Sequence, residues 1–146
     1  MKTDWKELVT TSHLETARAI QRELAAGNLD EAQEGLSELV DAMSRAERRA
    51  VRSQLIRLMK HIIKWKAQPE KRSVSWAVSI ASARDEIATT QEYEPSITDD
   101  VIRAMWEKAF QQAKKEAELE MQKKCNLESL SWQEVFQDEY DLTDNG

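Results

Sequence analysis

An all-α fold follows from three observations: the scarcity of helix breakers, apolar residues that recur at helical spacing, and tryptophans spread through the chain. The 146 residues hold three glycines and two prolines, among many Ala, Leu, Glu, Lys, Arg and Gln, which favour helix. No apolar/polar alternation runs long enough to argue for a strand. The sequence shows no linker, low-complexity tract or internal repeat, so an antiparallel bundle is expected, with four main helices and short second and C-terminal ones.

The first helix is expected over about Asp4 to Ala26, where Trp5, Leu8, Ala17, Ile20 and Leu24 supply an apolar side. Gly27-Asn28 should stop it, since both residues tolerate left-handed backbone. A short second helix from about Asp30 carries Ala32, Leu36, Leu39, Val40 and Met43 at helical spacing. Ser44-Arg45-Ala46-Glu47 has the form of a capping box and predicts a fresh helix. Its residues Val51, Leu55, Leu58, Ile62 and Trp65 alternate steps of four and three, a seam that Ile56, Met59 and Ile63 widen. Pro69 should end this helix, because proline lacks an N–H and restricts Gln68 before it.

A fourth helix, about Ser75 to Glu92, presents Trp76, Ile80, Ala83 and Ile87, and Pro95-Ser96 breaks it. A long fifth, about Thr98 to Lys124, carries Ile102, Trp106, Ala109, Ala113 and Ala117, with Met105 and Phe110 beside them. Ser131-Trp132-Gln133-Glu134 is a second capping box and should open a short helix through Phe136. Trp5, Trp65, Trp76, Trp106 and Trp132 then fall one to a helix, skipping the short second one, and each ring can tie its helix to the core. The domain organisation expected is one bundle over residues 1–137 and an acidic, frayed tail over 138–146.

The net charge of −6 conceals a split. Residues 44–76 hold ten Lys/Arg against two Glu, whereas the remainder holds 11 basic and 25 acidic residues. A positive band between acidic flanks can attract an anionic ligand or meet the chain's own acidic helices. The single cysteine, Cys125, cannot form an internal disulfide, and the opening Met1-Lys2-Thr3-Asp4-Trp5 lacks a signal-peptide core. No apolar run approaches the roughly 20 residues of a membrane span. These features lead to the expectation of a cytoplasmic protein.

The band also contains the candidate site. At 100° per residue, Arg57, His61, Lys64 and Gln68 share one strip of the third helix, beside its apolar face. Arg72 and Ser75 follow the proline turn, and Arg84 lies two turns into the fourth helix. Two readings stand side by side. The cations can cap helix carbonyls and pack, as the helix dipole favours, or they can form an anion or partner site in which His61 titrates near neutral pH.

The segment Ser44 to Ile87 carries a resemblance. Its Arg45, Glu47-Arg48-Arg49, His61, Lys64-Trp65, Gln68-Pro69-Glu70, Arg72-Ser73, Ser75-Trp76 and Arg84 resemble the bacterial domain-of-unknown-function family 29. The flanking layout fits too, with a leading helix ending near Gly27 and a Trp-containing C-terminal piece. The resemblance implies an all-helical bundle and no particular activity. It also implies a glycine near Met43–Ser44, which this chain lacks.

No catalytic set, metal site or cofactor is expected. His13 and His61 have no partner histidine at helical spacing, no nearby cysteine pair, and no glutamate three residues before them. Three scattered glycines exclude a nucleophile elbow or a phosphate-cradling loop. Helical ribonucleases of toxin–antitoxin pairs place four to six residues between Arg and His, whereas three separate Arg57 from His61 and eight separate Arg52 from it. The expected function is therefore a protein-interaction or adaptor module with a protein partner, with a homodimer as one option and no membrane partner. The alternative is nucleic-acid binding, RNA above all, through residues 45–72, with or without cleavage.

Overall fold

The computed structural model describes residues 2–142, and all regular structure among them is helical. Helices run α1 (Trp5–Thr11), α2 (His13–Ala25), α3 (Leu29–Ala67), α4 (Val74–Tyr93), α5 (Asp99–Ala104), α6 (Trp106–Met121) and α7 (Trp132–Phe136), with a 3-10 turn over Pro69–Lys71. The chain divides into two compact units, Met1–Arg49 and Ala50–Gly146.

In the N-terminal unit the expected first helix is two helices. Ser12 is extended (φ −162°) and its hydroxyl accepts from the Glu15 amide, so it ends α1 and caps α2 together. Neither glycine nor proline marks this break; serine makes it because its side chain competes for backbone amides. The stop after α2 is as the sequence indicates. Gly27 takes φ 82°, and the amides of Gly27 and Asn28 bond the carbonyls of Leu24 and Glu23, a Schellman closure.

The core of this unit is Trp5, Val9, Ala19, Ile20, Ala32 and Leu39. Trp5 lies on Gly35, where an added Cβ would stand 2.7 Å from the ring, and its indole N–H donates to Glu31 Oε1 at 2.8 Å. The apolar set expected to face the core along residues 32–43 divides. Ala32 and Leu39 are buried, whereas Leu36, Val40 and Met43 are exposed. Glycine at position 35 lets the indole settle there, which commits the 32–35–39 side of α3 to the core and leaves the neighbouring stripe outside.

The fresh helix expected at Ser44 does not form, because α3 continues for 39 residues through the capping-box sequence. No glycine or proline lies between Gly35 and Pro69, so propagation outweighs a local start signal. Pro69 ends α3 as anticipated. Its C-terminal half gives the C-terminal unit Leu55, Leu58, Met59, Ile62 and Ile63, all fully buried. They join Ile80, Ala83 and Ile87 of α4 and Ala109, Phe110, Ala113 and Ala117 of α6.

Ser73 caps α4 through the Trp76 amide. The single long helix expected from Thr98 is interrupted at Met105 (φ −98°, ψ 0°), between α5 and α6. No breaker residue marks it; buried Ile102 and Met105 hold one side while Trp106 stacks on Trp132 at 5.4 Å. Ser131 and Glu134 form the expected capping box of α7 in full. Of the expected acidic tail, residues 143–146 lie outside the described residues. Within the described part, the Tyr140 ring meets Trp65 edge-on at 5.9 Å.

Candidate functional site

The end of α3, the proline turn and α4 bring the candidate residues into the C-terminal unit, where the side chains of Arg57, His61, Lys64, Arg72 and Arg84 each find a hydrogen-bond partner. Lys64, buried along its stem, places Nζ 2.9 Å from Glu120 Oε1 on α6 and 4.9 Å from the Trp76 ring centroid. Lys60 reaches the other oxygen of Glu120 at 2.9 Å. Burial raises the Glu120 carboxyl, but hydrogen bonds from the two ammonium groups outweigh it and hold the group below the usual carboxylate range.

His61 is half-buried one turn before Lys64. Its Nδ1 lies 2.8 Å from the Arg57 carbonyl, and because a carbonyl can only accept, Nδ1 carries the hydrogen. Burial lowers the imidazole below its ordinary value, with Lys64 and Lys60 pushing the same way, against the Arg57 carbonyl and Glu120. Arg57 itself donates to Gln54 Oε1 at 3.0 Å. Gln68 is buried and begins the proline turn, its carbonyl accepting from the Lys71 amide at 2.9 Å.

Arg72 folds back over α3. Its Nε donates to the Trp65 carbonyl at 2.8 Å while the guanidinium lies 5.0 Å from the Trp65 ring. The other face of this arrangement is built from the chain's end: Trp65 meets Tyr140, and Arg84 stands 5.5 Å from the Tyr140 ring. Arg84 Nε donates to the Val135 carbonyl at 2.8 Å, and its Nη2 to Glu134 O at 3.4 Å. Arg72, Trp65, Tyr140 and Arg84 therefore form a ladder of two aromatic rings with a cation on either end. Burial pushes the Tyr140 phenol up to about 12, aided by Asp138 and Glu134; its hydroxyl donates to Glu134 O at 2.7 Å.

Two groupings result. Lys60, His61 and Lys64 gather around Glu120, whereas Arg72 and Arg84 sit on the Trp65–Tyr140 ladder; Arg57 bonds within its own helix. Together these contacts join α3 to α6, the proline turn to α3, and α4 to α7. Lys66 adds a bond from α3 to Glu134 at 2.7 Å, which with the Ser131 amide holds that carboxyl below the usual range. The pairings of Glu120 with Lys64, of Glu134 with Lys66 and of Tyr140 with Trp65 and Arg84 escaped the sequence reading because each spans more than fifty residues, beyond any local pattern.

Among the described residues no group of three or more His, Cys, Asp or Glu is placed to hold a metal ion. Cys125 is partly buried, its amide bonded to Glu118 Oε2 at 2.8 Å. Among the described residues no helix is long and apolar enough to cross a membrane.

The N-terminal unit carries a different surface. Leu29, Leu36, Val40 and Met43 are 67, 44, 60 and 50 % exposed, and helix geometry sets them within about 60° of one another along α3. Their steps of seven, four and three are those of a helix seam. The sequence signalled Leu36, Val40 and Met43, though not Leu29, and offered no means of telling a covered stripe from an open one.

Comparison with curated proteins and with solved structures gave no match. Residues 11–141 match a family profile, an extent that takes in α2 to α7 and the Ser44–Ile87 segment whose His, Lys-Trp, Gln-Pro and Arg residues have just been placed. The chain belongs to the family described as Domain of unknown function DUF29.

Proposed function

We propose that this chain is a protein-interaction module without catalytic activity, and that it receives an amphipathic helix of a protein partner on the open row of α3. The row Leu29, Leu36, Val40 and Met43 carries this reading. Contiguous apolar side chains at seam spacing lose free energy to water until a second apolar surface covers them, and a helix with matching spacing is the surface that fits. The engagement of the candidate cations supports it from the other side. Lys64, Arg72 and Arg84 are each bonded within the fold, which leaves few of their donors for an anion.

The test is a photo-crosslinking amino acid at Val40 in cells that express the chain, with Lys114 of α6 as a control position. The expected result is a discrete protein adduct at Val40 and none at Lys114. Equal labelling at both, or no adduct at either, overturns the reading.

One observation favours a second reading, nucleic-acid binding by the basic band. Arg48, Arg49 and Arg52 are exposed, and their side chains have no acidic partner among the described residues. Binding of labelled single-stranded RNA that weakens steeply with salt supports this reading; no shift at low salt removes it.

A further inference from the structure

We infer that the occupant of the α3 row is α3 of a second copy of this chain, lying antiparallel about a two-fold axis near residues 39–40. This deepens the reading above and rests on it.

The argument begins with charge along the helix. Residues 29–43 carry five carboxylates and no basic residue, whereas residues 44–49 carry three arginines and one glutamate. A helix with opposite charge at its two ends complements itself when reversed and repels itself when parallel. The surroundings of the row then decide which charges take part. One flank is the unit's own core, with Ala32 and Leu39 buried. The other flank is Asp30, Gln33, Ser37, Ser44 and Arg48, and exposed Glu47 continues the line of the row towards the C-terminus.

Asp30 and Arg48 are separated by about five helical turns and so share one azimuth. Both are exposed, and neither side chain meets a charged or hydrogen-bonding partner among the described residues. In an isologous pair each contact is made twice. Reversal about residues 39–40 sets Asp30 of each copy against Arg48 of the other and Leu36 against Met43, while Val40 meets its own counterpart. Ser37 and Ser44 are small enough for the helices to approach. A parallel pair instead sets Asp30 on Asp30 and Arg48 on Arg48.

Sedimentation of the full chain across a wide concentration range tests this. The wild type is expected to form dimers and Val40→Glu to remain monomeric, with Val40→Gln as a milder variant and circular dichroism showing both still helical. Asp30→Arg and Arg48→Glu should each weaken the dimer roughly tenfold, because each places like charges together. The double variant, which restores opposite charges, should recover most of that loss. A wild type monomeric throughout, a dimer indifferent to Val40→Glu, or a double variant no better than the singles overturns the inference. A monomer that still gives an adduct with a different protein at Val40 overturns the self-pairing alone; a monomer with no adduct removes the interaction reading as well.

Discussion

Gly35→Ala separates helix propensity from packing, because the two push in opposite directions. In the middle of a helix, alanine is favoured over glycine by about 0.8–1 kcal/mol. The added methyl carbon, however, would stand 2.7–2.8 Å from three carbons of the Trp5 ring, against an ordinary carbon–carbon contact of about 3.5–4.0 Å. The ring must retreat by nearly 1 Å, yet it is 2 % exposed and anchored through its indole N–H to Glu31. Overpacking of this kind costs about 1–3 kcal/mol, and weakening the indole bond to a carboxylate adds to it. The net expectation is a loss of about 1–2 kcal/mol, confined at first to the N-terminal unit. Amide hydrogen exchange in α1 and the Trp5 indole resonance report it directly, with no need for a global two-state transition. In a Trp5→Leu background the clash is relieved, and Gly35→Ala should become stabilising by somewhat less than about 1 kcal/mol. An alanine that stabilises the wild type, or acts equally in both backgrounds, refutes the packing argument.

Three further outcomes are expected. The His61 imidazole is lowered by burial, so its contribution to stability is complete above about pH 6.5 and is lost as the pH falls through the lowered value; thermal melts of His61→Gln should show a flatter profile below pH 6.5, while the fall in the carboxylate range, set by Glu120 and Glu134, persists. Tyr140→Ala removes the edge contact with Trp65, the cover over Arg84 and the bond to Glu134, and should lower stability by about 1–3 kcal/mol in urea titrations, with Tyr140→Phe near the lower figure. Gln122 ends α6 with φ 56°, a conformation glycine adopts without steric cost, so Gln122→Gly should raise the melting temperature by an amount equivalent to about 0.5–1 kcal/mol.

What the sequence disclosed is what short-range chemistry controls. Gly27 marks a helix end because it takes a positive φ without strain, Pro69 and Pro95 because they lack an N–H and restrict the residue before them, and Ser131 with Glu134 closes a cap within four residues. The seam from Val51 to Trp65 was readable because one side of that helix is almost wholly apolar. The misread places are those decided by tertiary partners. Ser12 and Met105 interrupt helices without a breaker, and Ser44-x-x-Glu47 has a cap's chemistry with no break to cap. Leu36, Val40 and Met43 are apolar and helically spaced, yet the indole on Gly35 chose the adjacent stripe for burial. At the candidate site the sequence suggested one cluster of cations, whereas they fall into two groupings, because Glu120 and Tyr140 approach from segments far along the chain.

The unused capping sequence within α3 has a consequence for how the chain can come apart. A helix interrupted at Ser44 would leave the downstream segment with an N-terminus already equipped to satisfy its exposed amides. Among the described residues, the buried apolar core of the C-terminal unit lies wholly beyond that point, from Val51 to Val135. Shortening α3 from its N-terminal end therefore meets a natural resting place at Ser44, where unwinding halts and the remainder stays closed. Partial proteolysis is expected to accumulate a fragment beginning near this serine, a reserve start held within an unbroken helix.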